Sequence, residues 1–546
     1  MKARPSLASA AFALLAISTS QAWGQTHKFF AGDAEAGDEY GTSTALSGLL
    51  ATDSADERAL VGAPGEDTAG PDAGAAYVLE RDGCAWSEMA KLVASDGAAF
   101  DRFGSSVALS EDTAVVGAPE DDDAGSASGA VYVFELVGST WMQTAKLVAS
   151  DASAGHRFGT SVSLSGDRIV VGAPPQDSQG VGAGAAYVFE RFGALWVETA
   201  VLVGSDTTFF DNFGTSVTVE GDRALIGAPG NDAAGIEAGS AYVFEFVALS
   251  WVQTAALTAS DAFMDEAFGS SVSLSGERLL VGASLSSPTG THSGAAYVFV
   301  LIGGAFWLEE AKLVGLDTAV GDMLGSSVDL EGDLALVGAP FNLSTAGQTG
   351  AAYVFERSGS SWSQKAKLLA SDVLGGAELG TSVALAADTY LVGAPGDGDM
   401  GPGAGAAYVF CVETCPVPLS GFPTAVSAVQ GGTQDFTLNA GASFAGSIYF
   451  LLGTISGTAP GVVVDSLLLP LNPDSYFLFT LDHPNVPPLT NSFGFLDGQG
   501  SAAASIGVPP GGIPPGLIGQ TMHHAYALLI TSVIFTSCAV PLDLEP

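Results

Sequence analysis

Apolar and polar positions alternate in short stretches along most of this chain, and Gly, Asp or Pro interrupts each stretch early. Residues 158–164 (FGTSVSL) alternate, and Ser165, Gly166 and Asp167 then supply a turn. Residues 168–174 (RIVVGAP) form a β-branched run ended by Pro. After nine residues comes 184–190 (GAAYVFE), and after Trp196 comes 199–203 (TAVLV). Runs of this length, rich in Val, Tyr and Phe and bounded by turn formers, predict strands joined by hairpins. The four-strand block recurs seven times. An aromatic-Gly or Leu-Gly pair opens each block at Tyr40, Phe103, Phe158, Phe213, Phe268, Leu324 and Leu379. A Gly-Ala-Pro or Gly-Ala-Ser triplet follows, ending at Pro64, Pro119, Pro174, Pro229, Ser284, Pro340 and Pro395. From Gly104 onward the step is 55 residues, with one step of 56 between Gly269 and Gly325. Four short strands per unit at this period predict a seven-bladed β-propeller.

Spacing inside the unit is strict. The two marker glycines lie 13 residues apart in six units and 21 apart in the first, which carries an eight-residue insertion within 48–58. Nine residues join each triplet to the next strand. An Asp stands seven residues before every first marker, at 33, 96, 151, 206, 261, 317 and 372. A turn-capping role is expected for it, with cation binding as the alternative. The marker glycines are expected to supply positive φ or close approach of neighbouring blades. Trp86, Trp141, Trp196, Trp251, Trp307 and Trp362 each open a fourth strand. The last unit lacks one, while Trp23 stands before Lys28 at the spacing of Trp86 before Lys91. Residues 23–30 are therefore expected to supply the missing strand of the last blade and remove an exposed sheet edge.

Composition adds the setting. Formal charge is 17 − 59 = −42. Such a surface repels nucleic-acid phosphates and anionic lipid and suits divalent cations or basic partners. Lys2 and Arg4 precede an apolar run over 7–17, which reads as a signal peptide over 1–22, cleaved between 22 and 25. That run, like 525–535, is too short to span a bilayer, so a secreted, periplasmic or cell-surface protein with no membrane span is expected. Cys84, Cys411, Cys415 and Cys538 allow three full disulfide pairings and do not match a zinc site.

The paired markers resemble the FG-GAP repeat family, the propeller of integrin α subunits and related exported bacterial proteins, over roughly residues 23–410. The resemblance implies a propeller that binds other proteins or carbohydrate-bearing surfaces, with Ca²⁺ in acidic loops before the Gly-Ala-Pro strand. Here those stretches are tight turns such as Ser165-Gly166-Asp167-Arg168 and Glu220-Gly221-Asp222-Arg223, with too few oxygens for the six to eight ligands of Ca²⁺. Those calcium sites do not transfer.

The nine-residue connections are uneven in acidity. Nine of their twelve acids fall in blades 7, 1 and 2, a bias that suggests a directional binding face. Asp121, Asp122 and Asp123, with Asp397 and Asp399, are the candidate cation ligands, and Ca²⁺ is the candidate ion. Blades 5 and 6 offer His292, Phe341 and Asn342 instead. After a Pro-containing linker over 411–420, residues 421–546 lack Lys and Arg and carry strand-like runs at 434–438, 447–452, 462–469, 476–480 and 526–535. A small all-β domain, sandwich-like, is expected there. No histidine recurs and no nucleophile elbow appears, so the expected function is binding or adhesion toward a protein or glycan, without enzymatic activity. A structural surface or matrix component is the first alternative, and an extracellular hydrolase using the propeller mouth is the second.

Overall fold

The computed structural model describes residues 24–47, 57–82, 85–177, 179–344, 347–370, 375–386 and 389–411, with further strand segments between 420 and 545. Described residues carry strands and no helix. In blade 3, Ser161–Ser165, Arg168–Ala173, Ala185–Phe192 and Leu195–Leu202 pair antiparallel in chain order. The outer strand starts earlier than the expected 199–203, takes in Trp196 and ends at Leu202. Five other blades repeat this order. The seventh joins Val383–Ala386, Thr389–Ala394 and Ala406–Cys411 to Gly24–Phe29 as its outermost strand. Third and fourth strands shift register once in every blade, between Val188 and Phe189 in blade 3. The closing strand shows the same irregularity between Gln25 and His27, so it completes the blade in the geometry of its siblings.

First strands touch their neighbours all the way round, and the strand at 43–47 meets that at 383–386 to close the ring. The paired markers make this contact. Ser43, Ser106, Ser161, Ser216, Ser271, Ser327 and Ser382 each donate through Oγ to the carbonyl of the next blade's marker glycine, at 2.8–2.9 Å. A Cβ on Gly172 would collide with the Gly214 carbonyl, and Gly214 holds φ +94. Gly is therefore required on both sides of this joint.

The core lies between blades. One cluster joins Val170, Val188 and Leu202 of blade 3 to Phe213, Val217, Ile226 and Tyr242 of blade 4. Another joins Leu391 and Val409 of blade 7 to Tyr40, Val61 and Tyr77 of blade 1. Phe158 meets Tyr187 edge-to-face at 5.4 Å, Phe103 and Phe268 repeat the contact, and Phe213 meets Tyr242 tilted at 5.4 Å. Each fully buried side chain of this kind stabilises by roughly 1.5–3 kcal/mol.

Beyond 411 the described strands form a four-stranded sheet, a sheet built on Thr521–Leu529, and a small hairpin. The expected strand at 434–438 lies within Gly432–Asn439, and that at 447–452 corresponds to Ile448–Thr454. The run 462–469 is instead a hairpin of Val462–Val464 with Leu467–Leu469, in which Val462 pairs with Leu469. The run 526–535 likewise divides, with Leu528 pairing Phe535. Trp23, most of the insertion in unit 1, Asp372, Cys84, Cys415, Cys538 and the run 476–480 lie outside the described residues.

Candidate functional site

Connections from second to third strands and from blade to blade emerge on one face, called here the loop face. Blade 2 shows its framework. Asp96 opens a blade-to-blade connection, Asp121 stands two residues after Pro119, Tyr132 lies in the third strand and Lys146 near the end of the outer strand. Lys146 Nζ lies 2.9 Å from Asp96, 2.9 Å from Asp121 and 2.5 Å from Asp123, and 5.2 Å from the Tyr132 ring centroid. Tyr132 donates its hydroxyl to Asp121 at 2.8 Å. Burial alone would lower the Lys146 ammonium, but its hydrogen bonds to Asp123, Asp96, Tyr132 and Asp121 outweigh that and hold its pKa above the ordinary lysine value. Burial alone would raise Asp96, but bonds from Lys146 and Tyr132 hold its carboxyl below the usual range. Burial, then the Asp121 hydrogen bond, keeps the Tyr132 hydroxyl protonated far above its usual range.

The node recurs. Lys28 of the closing strand reaches Asp397 at 3.0 Å and Asp399 at 2.7 Å, and Tyr408 donates to Asp397 at 2.8 Å. Lys91 pairs with Asp33 and Glu66 at 2.5 and 2.7 Å. Lys312 pairs with Asp261 and Lys367 with Asp317, at 2.8 and 2.7 Å. Tyr77, Tyr187, Tyr242, Tyr297 and Tyr353 donate to Asp33, Asp151, Asp206, Asp261 and Asp317 at 2.6–2.9 Å. In these five blades the periodic Asp is thus a tyrosine acceptor. Capping falls to the residue two before the marker: Asp101, Asp211 and Asp322 accept from the backbone N–H of Ala98, Thr208 and Ala319.

Blades 3 and 4 have Val201 and Ala256 where the others place lysine. There the buried residue two after Pro is neutral: Gln176 donates to Asp151 at 3.0 Å, and Asn231 to Asp211 at 2.7 Å. Acid at this position occurs in blades 1, 2 and 7, each of which has a lysine. The acidic bias of that sector is therefore tied to an internal cation. Of the candidate cation ligands, Asp121, Asp123, Asp397 and Asp399 face an ammonium, while Asp122 is exposed. Among the described residues no group of three or more His, Cys, Asp or Glu is arranged to hold a metal. The turns where the resemblance implies Ca²⁺ do not fit that ion. Arg58 reaches Asp112 and Arg168 reaches Asp222 across the blade boundary, at 2.9 and 3.1 Å. Asn342 is buried and donates to Asp322 at 2.6 Å, so it is not offered to a partner.

What the loop face does expose is apolar. Val181, Phe209, Phe210, Ile236, Phe263 and Met264 are exposed where blades 3, 4 and 5 meet. Backbone bonds join their loops: Phe210 N to Val181 O at 3.0 Å and Asp265 N to Ile236 O at 2.9 Å. Phe210 holds φ +65 at a position where Gly37, Gly155, Gly321 and Gly376 stand in four units and Phe100 and Asp265, also at positive φ, in the other two. An exposed aromatic in the left-handed region is costly by roughly 1–2 kcal/mol and does not serve packing. Sequence reading missed this patch. Its signal was present three residues after the periodic Asp, where Ala36, Ala99, Ala154 and Gly375 contrast with Phe209, Met264 and Val320.

No curated protein matches the sequence. Among solved structures, a chain of the Mitotic Checkpoint Complex has a TM-score of 0.43 and 12% identity, covering 74% of this chain and 99% of that one. A model of the FG-GAP repeat matches residues 23–79, 86–134, 141–189, 196–244, 251–299, 307–355 and 362–410. Seven matches in register with seven blades, joined through the two marker glycines, establish that the chain belongs to the FG-GAP repeat family.

Proposed function

We propose that this chain is an exported binding protein whose propeller holds the loop-face patch of blades 3–5 toward a protein or glycan partner. The carrying observation is the contrast between framework and tip. The Asp–Tyr and Ser–Gly bonds repeat around the ring, while the exposed tips differ from blade to blade; apolar tips such as Phe100, Val320 and Met400 are scattered elsewhere, and six gather where blades 3, 4 and 5 meet. Asp177, Asp206, Asp232, Glu237 and Asp265 lie in the same loops, where the lysine of other blades is missing. This favours a partner that brings basic groups around an apolar anchor. Shifted titrations in the blade nodes belong to the framework, which favours binding over hydrolysis. Export is supported by the leader-like residues 1–22. Ca²⁺ at Asp121 or Asp397 would have to displace Lys146 or Lys28.

Phe210→Gly tests the reading, because Gly is the residue four other units use there and the backbone is kept. Binding to a glycan array and to cell-surface protein extracts is expected to fall at least tenfold, with melting temperature equal or higher. Unchanged binding by this variant and by Ile236→Ser would sink the reading.

A further inference from the structure

The opposite side of the same three blades carries a second apolar surface. Leu195 and Val197 of blade 3, Leu249 and Val252 of blade 4, and Phe306 and Leu308 of blade 5 lie on the outermost strands and the hairpins that enter them. They are exposed by 69, 44, 89, 47, 76 and 60%. Neighbouring outer strands touch, so these side chains form one band along the rim. Phe192, Val247 and Ile302 at the ends of the third strands widen it.

Three independent features set this band apart. Exposed positions of the blade 3 outer strand are Leu195, Val197, Thr199 and Val201, and those of blade 4 are Ser250, Val252, Thr254 and Ala256. None carries charge, although the chain has a net charge of −42. Charge on an outer strand blunts its open edge. Lys28, Lys91, Lys146, Lys312 and Lys367, whose ammonium groups are tied to loop-face carboxylates, occupy one outer-strand position in five blades, blade 5 included, and Val201 and Ala256 leave blades 3 and 4 without a cation there. Finally, the blade 4 hairpin turns through Ala248 at φ +51 and Leu249 at φ +68; the matching hairpins of blades 2, 3 and 6 place Gly138, Gly193 and Gly359 at the Ala248 position and the small Ser139, Ala194 and Ser360 at that of Leu249. A leucine in the left-handed region, almost wholly in solvent, gains nothing for the fold that presents it.

We infer that two copies of this chain associate face to face through the outer strands of blades 3–5. A charge-free band offers nothing to a basic partner and few hydrogen bonds to a glycan. It also supplies the sector where two strongly acidic molecules meet without opposing carboxylates. A two-fold axis through the band buries the same residues on both copies. Nine side chains at roughly 100 Å² each give on the order of 900 Å² per copy, close to the roughly 800 Å² a stable interface takes from each partner. Unpaired backbone along the 250–257 edge can pair with its own copy in the same contact. This inference is independent of the loop-face reading and fits the alternative of a self-associating surface component.

The test is sedimentation of the chain from residue 23 to 546 over a hundredfold range of concentration. A dimer is expected, and added salt is expected to strengthen it by screening the like charges. Leu249→Asp and, separately, Phe306→Asp are expected to raise its dissociation constant at least tenfold with melting temperature little changed. Ser361→Asp, at the matching hairpin of blade 6, is expected to leave it intact. Should either charged variant fold poorly, Leu249→Gly removes the side chain and keeps the turn. A wild-type monomer at every concentration overturns the inference, including the case where the chain's own residues 421–546 cover the band. So does a dimer indifferent to both rim variants and to Leu249→Gly.

Discussion

Single residues in this propeller can be judged against six natural siblings. Asp121 and Lys146 form one node; Asn231 and Ala256 occupy the same two positions in blade 4 without a charge between them. Lys146→Ala leaves Asp121 buried beside Asp96 and Asp123 with no ammonium. A loss of about 2–4 kcal/mol is expected in denaturant unfolding, since removing one partner of a buried pair strands the other. Adding Asp121→Asn restores the arrangement of blade 4 and is expected to recover most of that loss. An additive double variant would show that the two side chains do not couple. If Ca²⁺ stabilises the single variant and not the parent, the ammonium is what keeps the ion out.

Asp329 has no charged sibling. Ala45, Ala108 and Ala384 take its place in blades 1, 2 and 7. Its carboxylate accepts from Ser273 Oγ at 2.9 Å and from the backbone N–H of Leu385 at 2.8 Å, bridging blades 5, 6 and 7. It keeps part of its accessible surface, but neighbouring strands enclose it, and burial raises its pKa from 3.8 to about 6 despite the hydrogen bonds. A raised folded-state value means that the folded protein holds this proton more tightly than the unfolded chain. The stabilisation is complete below 3.8 and is lost as pH rises through about 6. Asp329→Ala is therefore expected to gain on the parent by about 2–3 kcal/mol between pH 4 and pH 7. Parallel pH dependence of the two proteins, read by chemical unfolding, would refute the assignment.

At the scale of strands and blades, sequence carried most of the architecture. Period, turn residues and β-branched runs located the four strands because each depends on neighbours in the chain. The tryptophan count located the closing strand because a missing member of a repeat is visible as an absence. Deleting 23–30 is expected to open the blade edge at 406–411 and produce aggregation and a large fall in melting temperature; an unchanged melting curve would contradict closure. The nodes were less legible. Lys91, Lys146, Lys312 and Lys367 recur in near-identical settings, yet their partners sit as far as 58 residues away, and periodicity does not say which side chains a blade brings together. The acids of 121–123 and 397–399 drew attention by density alone, which hid the ammonium between them. The exposed Phe210 and Leu249 were hidden for another reason: positive φ at a non-glycine is a property of backbone, not of composition.

Over the whole molecule, both apolar surfaces centre on blades 3 and 4, the two without an outer-strand lysine, and reach onto blade 5, which carries Lys312. A net charge of −42 disfavours association through the rest of the surface. The closing strand has a consequence of a different kind. Lys28 meets Asp397 across 369 residues of intervening chain, so the first strand to be synthesised is also the last to find its partner. During synthesis 24–29 waits as an unpaired, edge-seeking segment while six blades assemble. No ribosome-bound fragment ending before 411 holds a finished ring. Completion then becomes a single late event that senses the integrity of everything between: a chain broken or misfolded in any blade leaves its clasp open and its ends exposed to proteases.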